Sequence, residues 1–443
     1  MNTPIRDFAA RYAESGAARL HVPGHKGRGP LGCEALDITE VAGADALYEA
    51  AGIIAESERN AAALFGARRT LYGTEGSSQC IRAMLYLALT GGARRKGRPV
   101  ALAGRNAHKA FLSAAALCDF DVEWLYPDRE GASPCACPVG AAALATRLDG
   151  MEEPPFCVYV TSPDYLGGVL DIAALAAVCR ARGVPLLVDN AHGAYLRFLP
   201  EAAHPMELGA DMCCDSAHKT LPVLTGGAYL HLSEAADARW GGAAKRAMAL
   251  FGSTSPSYLV LQSLDAANAA LAGDWPDRLS ACRARVEALK RTLAGRGFEV
   301  LDTEPMKLTL ATDGYRVAGL LRKGGVECEY ADEGHAVMMF SPDNAAEDFA
   351  RVGRLLAAPP PFTRAVWTPV RPPRRMTVRE AVFAPDETVP ARAAAGRVCA
   401  APTVSCPPAV PIVVSGEVIT EEAVRALERF GIEAVSVVRQ NAG

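Results

Sequence analysis

The sequence predicts an α/β protein, and two observations carry that prediction. First, short apolar runs alternate with segments of helical spacing. Val158–Thr161 and Pro185–Val188 read as buried parallel strands. Between them Asp171–Arg182 carries Ile172, Leu175, Val178 and Cys179 at helical spacing, and Gly183 supplies a C-terminal stop. Second, the alternation recurs. A helix over Ser78–Thr90 follows a Gly/Ser turn, and Leu230 and Leu232 close a strand after Gly226-Gly227. Such alternation places helices on both faces of a sheet.

A second region begins near Gly273-Asp274-Trp275. A helix from about Arg278 to Ala294 presents Leu279, Cys282, Val286, Leu289 and Leu293 on one face. Lys307–Ala311 and Ala336–Phe340 read as strands. Pro359-Pro360-Pro361 and Arg371-Pro-Pro-Arg374 read as linker. Val410–Val414 reads as a strand and Glu421–Arg429 as a helix. The expected division is an N-terminal arm (1–45), a large domain (46–272), a small α+β domain (273–358) and a C-terminal α+β domain (359–443).

Composition excludes several classes. In 443 residues, 46 Lys+Arg nearly balance 50 Asp+Glu, so there is no basic field for nucleic acid and no acidic tail. Half the residues are hydrophobic and 22% are charged, which is the balance of a globular protein with ample core. The 13 cysteines are irregularly spaced and make no paired Cys-x-x-Cys motif. Neither a disulfide scaffold nor a metal site is expected, and the cysteines read as reduced core residues of a cytoplasmic protein. The N-terminus carries charges where a signal peptide needs an apolar run. No apolar stretch reaches membrane-spanning length, so no membrane partner is expected.

Five segments carry chemistry. In Ser216-Ala217-His218-Lys219-Thr220-Leu221-Pro222, followed by Thr225-Gly226-Gly227, a lysine beside hydroxyls could form a Schiff base with a carbonyl cofactor; most lysines, however, are solvated surface charges. Leu186-Leu187-Val188-Asp189 ends a strand in a carboxylate, at the sheet edge where ligands bind. Such a group can keep a pyridine nitrogen protonated, as pyridoxal phosphate (PLP) requires; it is also a common helix N-cap. Tyr72-Gly73-Thr74-Glu75-Gly76-Ser77-Ser78-Gln79 runs into a helix, as a phosphate cradle or a plain cap would. His108, in Arg105-Asn106-Ala107-His108-Lys109, could stack on a cofactor ring or be an ordinary polar residue. Ser253-Thr254-Ser255-Pro256-Ser257-Tyr258 offers hydroxyls to a phosphate, or is a Ser/Pro loop.

Together these segments resemble the Orn/Lys/Arg decarboxylases, PLP enzymes of the aspartate-aminotransferase fold. Further motifs that match are His21-Val-Pro-Gly-His25-Lys26-Gly27, Asp45-Ala-Leu-Tyr48 and Thr161-Ser-Pro-Asp-Tyr165-Leu-Gly167. In the tail, Ala395-Gly396-Arg397-Val398, Cys406-Pro407-Pro408-Ala409-Val410-Pro411 and Gly416-Glu417-Val418-Ile419 are similar to the family's C-terminal domain. The resemblance runs from about His21 to the end and looks like the short form, without an N-terminal wing domain. It implies a fold-type-I large domain with a mostly parallel seven-stranded sheet, a small α+β domain and a C-terminal α+β appendage.

The resemblance also implies roles. Lys219 falls at the Schiff-base lysine, Asp189 at the partner of the pyridine nitrogen and His108 at the ring-stacking histidine. Gly76, Ser77, Ser78 and Ser216 fall at the phosphate, which Ser253 or Thr254 would reach from a partner subunit. His192 would orient Asp189, and His218 is a candidate proton donor. Glu329 resembles the acid that meets a basic substrate, with Asp164 and Glu75 as other candidates; it also reads as a solvated strand charge. A homodimer or larger homo-oligomer is implied.

Two positions near the cofactor depart from the family pattern. Asn190 stands where an acid is usual, and Tyr195 where a histidine is usual. The tail also differs at Pro408-Ala409 and Ser415. These changes bear on the substrate, for which arginine is the first expectation, then lysine or ornithine. The alternatives are an aminotransferase or lyase of the same fold, with Arg322 gripping a substrate carboxylate, or a non-catalytic regulatory paralogue.

Overall fold

The computed structural model describes residues 1–91, 97–127, 133–363, 367–401 and 410–440. The chain forms two compact units. One comprises Met1–Gly92, Pro185–Ala281 and Ser341–Asp343; the other comprises Ala93–Val184, Cys282–Phe340 and Asn344–Gly443.

The main sheet has seven strands: β1 (Arg69–Gly73), β2 (Val100–Gly104), β3 (Asp121–Leu125), β4 (Cys157–Thr161), β5 (Leu186–Asp189), β6 (Met212–Asp215) and β7 (Ala228–Leu232). Their order is β1-β7-β6-β5-β4-β2-β3. β2 is parallel to β3 and β4, and β5 is parallel to β6. Only β7 runs antiparallel to its neighbours β1 and β6 among the described pairings. Leu186, Leu187 and Val188 have no exposed surface, as befits a strand covered on both faces. The expected α/β architecture is the observed one.

Helix boundaries follow from local chemistry. The helix Ile172–Ala181 starts where the Asp171 carboxylate accepts from Ala174 N, and it stops before Gly183 at φ +65°. The helix Trp275–Gly295 buries Leu279, Cys282, Val286, Leu289 and Leu293, the stripe its spacing predicts.

The second unit carries two smaller antiparallel sheets. One joins β8 (Glu299–Val300), β9 (Lys307–Ala311), β10 (Tyr330–Ala331) and β11 (His335–Met339) in the order β10-β11-β9-β8. The other joins β12 (Asp386–Pro390), β13 (Cys399–Ala401) and β14 (Ala434–Val438) in the order β12-β14-β13. The helix Glu421–Arg429 packs with this last sheet around a core that includes Trp367, Ile412, Ile419, Leu427 and Val437.

One expectation fails. Val410–Val414 is not a strand. Pro411 has no N–H to offer a ladder. Two of its other backbone groups go to an ion pair instead: Arg105 donates to Ile412 O, and Val414 N donates to Glu417. Ile412, Val413 and Val414 are still buried, so the apolar run marks core without marking sheet. The motif Cys406-Pro407-Pro408-Ala409 lies outside the described residues. No disulfide joins the described cysteines to one another, and most of them are buried. Among the described residues no helix is long and apolar enough to cross a membrane.

Candidate active site

The first unit brings Lys219, Asp189 and the Gly/Ser turn to the ends of three strands. Asp189 is the last residue of β5 and is 2% exposed. It caps no α-helix. Its Oδ1 accepts from Ala191 N at 3.2 Å, and the Cys214 thiol lies 3.8 Å away. Ser216, Ala217, His218 and Lys219 follow β6 in one short helical turn, Ala217–Thr220. Lys219 is exposed, and its Nζ lies 3.1 Å from His192 Nε2. His218 donates from Nδ1 to Gly227 O at 3.0 Å. Burial pulls its imidazole below the usual range, the Gly227 carbonyl offsets part of that, and the Lys219 charge adds to it. His218 therefore rests neutral, with Nε2 as an acceptor.

The turn before the helix Ser77–Thr90 has the form of a cradle. Gly76 is the N-cap at φ +69°, and no side chain caps this helix end. Ser216 Oγ donates to Ser77 Oγ at 2.7 Å, and Gly76 N donates to Gly226 O at 2.7 Å. Gly226 has φ +99°, and a Cβ there would sit 2.7 Å from Thr74 O. Only glycine allows the two loops to approach this closely. Tyr48 OH accepts from Gln79 in the first turn of the same helix, which places the Asp45–Tyr48 motif here. Asp45 itself caps the helix Ile53–Phe65 through several backbone N–H groups.

Other expected residues take structural partners. Ser253 N donates to Glu75, and Ser257 caps the helix Tyr258–Leu271. In the second unit, His108 is the N-cap of the helix Lys109–Cys118, with Nδ1 accepting from Ala110 N. Asp164 is buried and accepts from Leu166 N and Gly168 N, so it braces its own loop. Glu329 is exposed, and its Oε1 accepts from Tyr165 OH. Arg322 faces Glu327, with both carboxylate oxygens 3.1 Å from Nε.

Sequence reasoning missed one cluster. Asp215, the last residue of β6, has no exposed surface. Its Oδ1 accepts from Asn190 Nδ2 at 2.6 Å, and its Oδ2 faces His204 Nε2 at 3.0 Å and His231 Nε2 at 3.1 Å. Burial would raise this carboxyl, but His204 and His231 outweigh burial and hold it well below the usual range. Among the described residues these three side chains are the set with donors suited to a metal ion. Met206 N donates to His204 Nδ1, however, which leaves the imidazole proton on Nε2, facing Asp215. The cluster is thus a hydrogen-bonded one. An acid ending an apolar strand immediately before Ser216 was the only signal available.

The fit to a phosphate-bearing pyridine aldehyde rests on the molecule's own donors and acceptors. A helix start without a side-chain cap, ringed by serine hydroxyls, suits a phosphate. A buried carboxylate at a strand end suits a cationic ring nitrogen, and the exposed amine of Lys219 suits the aldehyde. Asn190 Oδ1 is buried with no protein partner among the described residues, leaving an acceptor beside Asp189.

Comparison with known structures defines the class. The chain is similar to the constitutive lysine decarboxylase of E. coli with a TM-score of 0.80, over 99% of this chain and 82% of that one, at 17% identity. The fold is that of the type-I PLP-dependent enzymes. The Orn/Lys/Arg decarboxylase major-domain model matches residues 3–295, and the chain belongs to that family. It is an amino-acid decarboxylase by family. It is 29% identical to the uncharacterized protein YaaO of Bacillus subtilis, over 97% of this chain and 94% of that protein. It is 27% identical to an arginine decarboxylase of Halalkalibacterium halodurans, over 95% and 91% respectively.

Proposed function

We propose that this protein decarboxylates arginine, with lysine and ornithine as the next candidates, and that it uses PLP to do so. The observation that carries the reading is the meeting of Lys219 with His192 in the unit where Asp189 ends β5. Full-length similarity to proteins named arginine decarboxylase supports the substrate order.

When bound, PLP supplies an electron sink for the carbanion left by CO2. The chain's residues have the following work. Gly76, Ser77, Ser78 and Ser216 hold the phosphate, with Ser253 or Thr254 contributing from a partner subunit. Asp189 keeps the ring nitrogen protonated, because a buried carboxylate favours a cation beside it. His108 stacks on the ring. His192 orients the Lys219 amine. Lys219 would deliver the proton that takes the place of CO2 at the substrate's α-carbon. His218, whose Nδ1 proton is held by Gly227 O, would give a proton from Nε2 only after taking one up. Glu329, oriented by Tyr165, meets the substrate's cationic end. Arg322 is engaged by Glu327, so the aminotransfer reading gains no support from it.

The same reading includes a homodimer or larger homo-oligomer, a cytoplasmic location and the four-part domain division given above. The test is mass spectrometry of the products after PLP-loaded protein is incubated separately with arginine, lysine and ornithine. The expected result is an amine lighter by CO2 from arginine. An amine from lysine or ornithine alone would overturn the substrate order, and no amine from any of the three would overturn the proposal.

A further inference from the structure

We infer that Asp215 and Asn190 are positioning residues, which set the Asp189 carboxylate and the Ser216 turn together through one buried hydrogen-bond network. The inference rests on the PLP reading above and assigns residues beyond it.

The argument starts from placement. Asn190 directly follows Asp189 at the end of β5, and Asp215 directly precedes Ser216 at the end of β6. The side-chain bond Asn190 Nδ2 to Asp215 Oδ1, at 2.6 Å, therefore ties the ring-nitrogen end of the site to its phosphate end. Backbone reinforces it, since Asn190 N donates to Cys214 O at 3.0 Å. The other carboxylate oxygen is held by His204 and His231, and His231 Nδ1 is 2.8 Å from Thr70 Oγ1 on β1. Asn190, His204, Asp215 and His231 are all without appreciable exposure. A buried network of this kind keeps its geometry because each alternative leaves a polar group unpaired.

Proton placement makes the network directional. His204 accepts from Met206 N at Nδ1, so its Nε2–H donates to Asp215. Asp215 then receives donors at both oxygens and is an ionised acceptor. That fixes Asn190 with its NH2 toward Asp215, because the flipped amide would set oxygen against a carboxylate. It also explains why an acid does not stand at position 190: two carboxylates would face each other at hydrogen-bond distance without water.

This logic dictates the experiment. Asn190→Asp creates the facing carboxylates. Asp215→Asn, with its oxygen to the imidazole N–H groups, turns its NH2 toward the NH2 of Asn190 and pairs with it only if the Asn190 amide flips, which removes the acceptor that Asn190 Oδ1 presents beside Asp189. The exchange N190D/D215N restores every bond: the amide now at the end of β6 would donate to the carboxylate now at the end of β5 and accept from both imidazoles. The measurements are PLP affinity by absorbance titration, the pH profile of the bound cofactor's visible absorbance, and the melting temperature of each cofactor-free protein.

Each single variant is expected to weaken PLP binding by about tenfold or more and to shift the pH profile, and the exchange to recover affinity to within about threefold. Single variants that change only the melting temperature would overturn the inference, as would an exchange no better than the singles. A wild-type protein that binds no PLP would overturn both the inference and the functional reading. A wild-type protein that binds PLP beside unaffected variants would overturn the inference alone.

Discussion

The Tyr165 hydroxyl donates to Glu329 Oε1 at 2.5 Å. Tyr165 lies in the loop after β4 and Glu329 immediately before β10, so the bond joins two motifs far apart in sequence. The Tyr165 ring packs edge-on against Tyr330 at 5.5 Å, and the Lys307 ammonium lies 5.9 Å from the Tyr165 ring centroid. The phenol is thus held from three sides, and it takes one face of an otherwise exposed carboxylate. If Glu329 meets the cationic end of the substrate, Tyr165→Phe should raise KM and spare kcat. A hydrogen bond to a charged group is worth roughly 1.5–3 kcal/mol, so an increase in KM of about tenfold is expected, with kcat within about twofold. Steady-state kinetics would check it; an unchanged KM would remove Glu329 from substrate recognition.

Lys219 offers a chemical rather than an energetic prediction. Its amine is exposed and within 3.1 Å of His192. Borohydride reduction of the PLP-loaded protein, followed by peptide mapping, should place the label on Lys219. Lys219→Ala should lose both the label and the visible absorbance. A label retained elsewhere, with the absorbance intact, would sink the assignment.

These residues could be read from sequence because each adjoins a strand end, and strand ends announce themselves locally. The apolar run 186–188 stops at Asp189, and the run into β6 stops before Ser216. Regular elements were legible for the same reason. The helix Glu421–Arg429 and the strand Lys307–Ala311 fall where spacing alone puts them. The Asp215 network was not legible, because its partners Asn190, His204 and His231 come from other segments and carry no local pattern. Val410–Val414 misled for the same reason. Its backbone partners lie on Arg105, some three hundred residues away, and on Glu417.

That ion pair yields a stability prediction. Arg105 and Glu417 approach to 2.9 Å with both side chains nearly excluded from solvent. Arg105 also lies 4.9 Å from the Trp124 ring centroid. Burial raises the Glu417 carboxyl, and Arg105 offsets part of that rise. A buried charge that loses its partner is costly, commonly about 3–5 kcal/mol. Arg105→Ala should therefore destabilise the protein by that order in chemical denaturation. Arg105→Ala combined with Glu417→Gln should cost less than Arg105→Ala alone, because no unpaired charge remains. A double variant as unstable as the sum of the singles would show that the two residues act independently.

Asp164 gives a prediction whose sign can be worked out. It is 7% exposed, and burial pushes its carboxyl up to about 6, with the Gly168 N–H and the Lys307 charge offsetting only part of the effect. Lys307 is itself fully buried, and burial lowers its ammonium. The native state therefore holds the Asp164 proton more tightly than the unfolded chain, whose carboxyl titrates near the ordinary value of 3.8. This group's contribution to stability is fully present below that value and is lost as the pH rises through about 6. Asp164→Asn keeps an oxygen for the Leu166 and Gly168 N–H groups and removes the titration. The stability of the variant relative to wild type should rise between pH 4 and pH 7, by up to about 3 kcal/mol. Denaturant midpoints measured across that range would decide the matter. A flat difference would mean that the carboxyl titrates alike in both states. A falling one would mean that Lys307 and the loop N–H groups overcome burial and favour the ionised form.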